Sequence, residues 1–230
     1  MKGQQSASNP KFGLWSGWSD QGPLWEGIRH CNVLIENIYN VVDMTEEEMN
    51  IWAAEAKFLK AYYHFLLFTY YGPIPIVDEN LPISASDTEV RVKRRTVDES
   101  VAYIVETIDE ALIHLPARVL SSNDLGRIDQ VIAKGIKSRV LTYAASPLFN
   151  GNSEMYSGFV NEDGEHFFNQ SYDQTKWDLA REASLDAIVT AIDNGVGMYE
   201  FTSAPPNYED EYEEEEFIKT LYDLKYSIVD

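Results

Sequence analysis

Along most of the chain, apolar residues return every third or fourth position, the spacing of one face of an α-helix. Trp25, Ile28, Cys31, Ile35 and Ile38 predict a first helix from Leu24 to about Tyr39, with Pro23 suited to its first turn. Thr45-Glu46-Glu47-Glu48 is a capping box, in which the threonine hydroxyl caps and Glu48 reaches back. Behind it, Met49, Trp52, Ala56, Leu59, Tyr63, Leu66 and Tyr70 predict a helix over 46–71 that serves as the core element, stopped by Gly72-Pro73. A second box, Thr96 to Glu99, opens a helix over 97–115 with Val101, Ile104, Val105, Ile108, Leu112 and Leu115 inward. Asp129 caps a fourth over 130–145, with Ala133, Ile136, Val140 and Tyr143 inward. A fifth, over 176–193, carries Trp177, Ala180, Ala183 or Ser184, Ala187 and Ala191, with Gly195 just beyond its end.

The pattern predicts an all-α fold of antiparallel helix pairs, because no β-branched strands alternate with the helices. The chain divides into a loop-rich segment, 1–22, a helical-repeat domain, 23–200, and an acidic end, 201–230. The fourth and fifth helices resemble the halves of a tetratricopeptide repeat: small residues at the contacts, an aromatic near the end of the first, Trp177 early in the second. The span 147–174 is then a long loop inserted at the repeat's turn.

Charge narrows the partners. Lys and Arg number 18 against 38 Asp and Glu, a formal net charge of -20. Such a surface repels phosphate backbones and anionic headgroups, which argues against nucleic acid and suits neutral ligands such as sugars. The single cysteine, Cys31, cannot form an intrachain disulfide and reads as a small buried apolar residue. The longest apolar run, Phe65 to Tyr71, is too short to span a bilayer, and the first ten residues hold no apolar leader core.

Several segments together resemble the SusD/RagB family of outer-membrane nutrient-binding proteins. They are Trp25 to Asn32 with Leu34 to Ile38; Glu55 to Phe65 running on to Tyr71-Gly72-Pro73-Ile74-Pro75-Ile76-Val77; Arg95 to Val101; and Gly126-Arg127 with Lys134 to Phe149. The resemblance covers about residues 20–200. It implies a tetratricopeptide-like helical fold, capture of glycans or in some members peptides, and delivery to a SusC-like TonB-dependent transporter. Members are commonly longer lipoproteins with a leader and an N-terminal cysteine. The expectation is therefore a truncated reading frame whose leader lies upstream, and location at the outer-membrane surface.

Sugar capture needs flat aromatic faces and a few polar groups for hydroxyls. Trp15 and Trp18 sit three residues apart in a polar loop with Gly13 and Gly17, where no helical stripe absorbs them. They read as a stacking platform or as a loop packed on the core. Asn32 reads as a ligand hydrogen-bonder or a structural cap, and Arg29 as half of an internal ion pair. In the long loop, Tyr156 is the candidate among Phe159, Phe167, Phe168 and Tyr172. No catalytic residue, metal set or cofactor site is expected: the four histidines lack HExxH spacing, and there is no P-loop and no GxSxG. The competing class is a tetratricopeptide-like scaffold that binds a protein segment. Exposed loop tryptophans favour sugar; buried ones favour the scaffold.

Overall fold

The computed structural model describes residues 13–16 and 23–198; Trp18 and the acidic end lie outside them. Among the described residues there are seven α-helices and no named strand: α1 (Leu24–Asn37), α2 (Glu46–Tyr71), α3 (Asp87–Val90), α4 (Val97–Leu112), α5 (Gln130–Ala145), α6 (Ser153–Tyr156) and α7 (Gln174–Asp193). A 3-10 turn, Ile38–Asn40, continues α1 to the expected end. The fold is all-α and tetratricopeptide-like, with α2 packed between α1 and α4 and α4 against α5. All of α1 to α6 and most of α7 belong to one unit that runs to Thr190; the last turn of α7 falls in a second unit, 191–230.

Caps explain where the helices start. Thr45 accepts from the Glu48 amide while Glu48 accepts from the Thr45 amide, and Thr96 with Glu99 repeats the arrangement. Asp129 accepts from the Ile132 amide at the head of α5. A third box, Ser86 with Glu89, starts the one-turn α3, which the apolar pattern does not announce.

The inward stripe expected for α2 needs correction. Trp52 and Tyr70 are exposed, and Leu59, Tyr63 and Leu66 are only half-buried. The buried residues are Ala53, Ala54, Ala56, Phe58, Lys60, Ala61, His64, Phe65, Leu67 and Phe68. The helix is covered from two sides, so its apolar positions spread around the axis and leave only a narrow polar edge. Gly27 lets α1 come close: a Cβ there would lie 2.9 Å from the Tyr63 ring.

Two polar devices organise the connections. After α2 the chain runs extended through 74–78 without a sheet, and side chains serve its backbone. His64 Nε2 accepts from the Val77 amide at 3.3 Å, the Asn32 amide group donates to the Val77 carbonyl at 3.4 Å, and Lys60 donates to the carbonyl and carboxylate of Asp78. The amide of Arg95 donates to the Ile74 carbonyl, and Pro75 bridges Arg94. Buried backbone groups thus find partners despite the missing ladder.

The second device closes the long insertion. Asn150 is buried; its side chain donates to the Asp173 carbonyl and accepts from the Asp173 amide, both at 2.8 Å. Gly151 has φ +77°, and a Cβ there would lie 2.5 Å from the Tyr172 nitrogen, so only glycine fits. Between these points the insertion folds on its own apolar residues and on α2.

Helix α7 follows the neck. Ala180, Ala183, Ser184 and Ala187 turn inward as expected, Thr190 is buried beside them although the pattern does not name it, and Trp177 is exposed. The Ser184 hydroxyl meets that of Ser138 on α5 at 2.7 Å, and Lys134 reaches Asp186 and Thr190.

Candidate functional site

Aromatics from three separate segments gather at the C-terminal end of α2. The loop carrying Trp15 is tied there by backbone: the Leu24 amide donates to the Leu14 carbonyl, and the Trp15 amide donates to the Tyr71 hydroxyl at 3.2 Å. The Trp15 ring meets Trp25 and Tyr71 edge-on, with centroids 5.1 and 5.3 Å away, and the Arg94 guanidinium lies 5.9 Å from its centroid. Trp15 is half-buried, partly covering the core and partly open.

On the other side of the same helix end lies the insertion. Phe68 and Tyr143 contact Phe149, Phe149 stacks on Phe168, and Tyr156 stacks on Phe168 at 3.9 Å with planes only 10° apart. Phe168 reaches back to Gly72, where a Cβ would lie 3.8 Å from its ring. Phe149, Phe167 and Phe168 are buried, Tyr156 is half-buried, and Phe159 and Tyr172 are exposed at the rim. The inner rings are core; the outer ones are the only part of this ladder that a ligand reaches from solvent.

Asn32 lies elsewhere. It is 2% exposed and occupied with Val77, so it anchors the extended segment and presents nothing to solvent. The structure therefore brings Trp15 and Tyr156 to one end of the molecule and leaves Asn32 in the interior. Tyr71 and Arg94, which the sequence did not offer as candidates, join Trp15 here. A groove of about 400 Å³ opens between α1 and the segment after α2, lined by Arg29, Val77, Asn80, Pro82, Ile83 and Val90; none of the candidate ligand binders lines it. Among the described residues Arg29 has no ion-pair partner, contrary to expectation.

Titratable groups near this end serve structure. Burial pushes the His64 pKa down to about 4, helped by the charge of Lys60 and opposed by the Lys60 carbonyl and Asp78. His64 is therefore neutral and, with Nδ1 facing the Lys60 carbonyl, carries its proton there. Burial also works to raise Asp78, but hydrogen bonds from Lys60 and Tyr103 outweigh it and leave the carboxyl below its usual value. Tyr103 is driven above the ordinary phenol range by burial and by its bond to Asp78. Burial lifts the Cys31 thiol to about 11, which keeps it protonated and inert. Among the described residues no group of three or more His, Cys, Asp or Glu is placed to hold a metal ion, and no helix is long and apolar enough to cross a membrane.

A helical-repeat domain whose loops collect half-open aromatics at one end is the class this geometry defines. The family profile described as "Starch-binding associating with outer membrane" matches residues 20–141, and the chain belongs to this SusD-like family. SusD-like protein P25 of Formosa agariphila is 25% identical over 131 residues, a match covering 56% of this chain and 23% of that protein. The solved structure of BT4246 superposes with a TM-score of 0.75 and 31% identity, covering 89% of this chain and 37% of that one. A structure solved with xylogluco-oligosaccharide shares the fold, with a TM-score of 0.50 and 19% identity over 76% of this chain and 28% of that one. The chain thus spans well under half the length of these relatives.

Proposed function

We propose that this chain is the glycan-capturing part of a non-catalytic nutrient-binding protein, which passes oligosaccharides to a SusC-like TonB-dependent transporter at the outer membrane. The family match, to a profile described as starch-binding, carries this reading. The aromatic end of α2 supports it: Trp15 and Tyr156 each keep part of a ring open beside a wall of packed rings. Carbohydrate C–H faces cover such rings without requiring charge. Trp18, three residues from Trp15, belongs to the same proposal on sequence grounds alone. Individual stacking contacts are weak, so affinities from about micromolar to millimolar, or about 4–8 kcal/mol, are expected.

The test is titration calorimetry and tryptophan fluorescence against a glycan panel. Trp15→Ala and Tyr156→Ala should each weaken binding at least about threefold while circular dichroism stays unchanged. Equal binding by both folded variants would move the platform away from this end. Transfer to a transporter is tested by co-purifying the protein with a SusC-like transporter in mild detergent; absence of a complex counts against that step.

One observation favours the scaffold reading. Leu185, Ile188 and Val189 on α7 point outward and are exposed, an apolar face that a protein segment would cover. If Leu185→Lys with Ile188→Lys abolished partner capture while glycans never bound, the scaffold would replace glycan capture.

A further inference from the structure

The charge of -20 describes the molecule from afar, but screening limits its reach to about 8 Å at physiological ionic strength. A ligand at the aromatic end of α2 meets the local charge instead. There the sequence reads Arg91-Val92-Lys93-Arg94-Arg95, four of the chain's 18 cations within five positions, all exposed.

Among the described residues, most other Lys and Arg are latched to carboxylates: Lys57 to Glu110, Lys60 to Asp78, Arg127 to Glu55, Lys134 to Asp186, Lys137 to Asp109 and Lys176 to Asp98. That is expected where acids outnumber bases two to one. Within the strip, Lys93 pairs with Glu162 at 3.0 Å and Arg95 with Glu99 at 3.5 Å. Arg91 and Arg94 have no carboxylate partner among the described residues. One of them, Arg94, stands over the half-open Trp15 ring, and Arg91 lies three positions before it in the strip.

Their placement is also fixed. The strip is pinned on one side by the Arg95 amide on the Ile74 carbonyl and the Pro75–Arg94 bridge. On the other side the Val97 amide donates to the Phe167 carbonyl of the insertion. An arginine over an indole keeps its in-plane N–H groups free, and that planar fork matches a carboxylate or sulfate. Pre-set donors lose little freedom on binding.

We propose that this strip makes the site selective for acidic oligosaccharides bearing carboxylate or sulfate groups, with Arg94 and Arg91 taking the anion while Trp15 and Tyr71 take the sugar ring. The proposal rests on the glycan-capture reading above.

The experiment is calorimetry on the full chain with two matched pairs: tetragalacturonate and its methyl ester, and a sulfated galactan tetrasaccharide and its desulfated parent. The expected result is at least a tenfold preference for the acidic member of one pair at low salt, shrinking in half-molar salt; the preferred pair identifies the anion. Arg91→Gln with Arg94→Gln should bring the ratio near one. Lys93→Gln with Arg95→Gln removes the same charge from side chains already held by carboxylates, and should leave most of the preference. Equal loss in both double variants would mean diffuse electrostatics and overturn the proposal. So would acidic and neutral members binding equally with Trp15→Ala weakening both, an outcome that leaves glycan capture standing. If the parent binds none of the four, nor any neutral glycan of the wider panel, both readings fall together.

Discussion

Helices α2 and α7 are both long, yet they are held in opposite ways. Helix α2 sits between α1 and α4, buries Phe58, Phe65, Leu67 and Phe68, and places Lys60 and His64 where they serve the next segment's backbone. Helix α7 buries only Ala180 and Thr190 and meets α5 through a serine pair and a lysine, with Leu185, Ile188 and Val189 exposed. Length and helical pattern therefore say little about how much a helix contributes. What decides is how many sides are covered and by side chains of what size.

The contrast is broken most easily in α2. Phe65→Ala removes a ring that is 2% exposed and should cost about 3–5 kcal/mol in denaturant titration. A cost below about 1 kcal/mol would mean that α2 is not the core. Acid should come next. The folded pKa of His64, about 4, lies below the ordinary imidazole value of 6.5, so the native state favours the neutral ring. Stability from this site is complete above pH 6.5 and is lost as pH falls from there towards 4, by about 3 kcal/mol. The capping glutamates Glu48 and Glu99 are lowered from 4.5, so their losses fall below that pH and separate from the histidine's. His64→Gln should flatten the curve between pH 4 and 6.5; an unchanged slope would place the titrating group elsewhere.

Leu59→Ala sharpens the comparison within α2 itself. Leu59 is half-buried, so about 1 kcal/mol is expected, well short of the Phe65 figure. Equal losses at the two sites would restore the simple stripe. The smallest effect belongs to α7: Ser184→Ala removes a hydroxyl pair with Ser138 and should cost about 1 kcal/mol or less by thermal melting. A loss approaching that of Phe65 would show α7 to be integral to the core.

Helix positions were legible because caps and periodicity act locally. Thr45 with Glu48, Thr96 with Glu99, and Asp129 mark starts that the structure keeps to the residue. The face of α2 was not legible, since one stripe emerges only when one side is buried. The roles of Lys60 and His64 were hidden for a related reason: their partners Asp78 and Val77 lie 18 and 13 positions away. The site follows the same logic. Trp15 could be recognised as unusual in its loop, but while Trp25 opens the next helix, its other neighbours Tyr71 and Arg94 come from far along the chain. Asn32 could not be told from a surface asparagine, because the carbonyl it holds is 45 positions away.

The closed neck of the insertion has one more consequence. Asn150 grips both backbone groups of Asp173, so the helices on either side are joined as if by a two-ended clip, whatever lies between. The cost of closing a loop grows only slowly with its length. Residues 160–166, all but one exposed, therefore form an exchangeable tip: lineages could lengthen, shorten or rewrite it while Phe167 and Phe168 stay in the core and α5 and α7 keep their register. A chimera carrying a different tip between an intact Phe159 and Phe167 should fold, whereas replacing Asn150 by leucine should loosen the scaffold even with every loop residue unchanged.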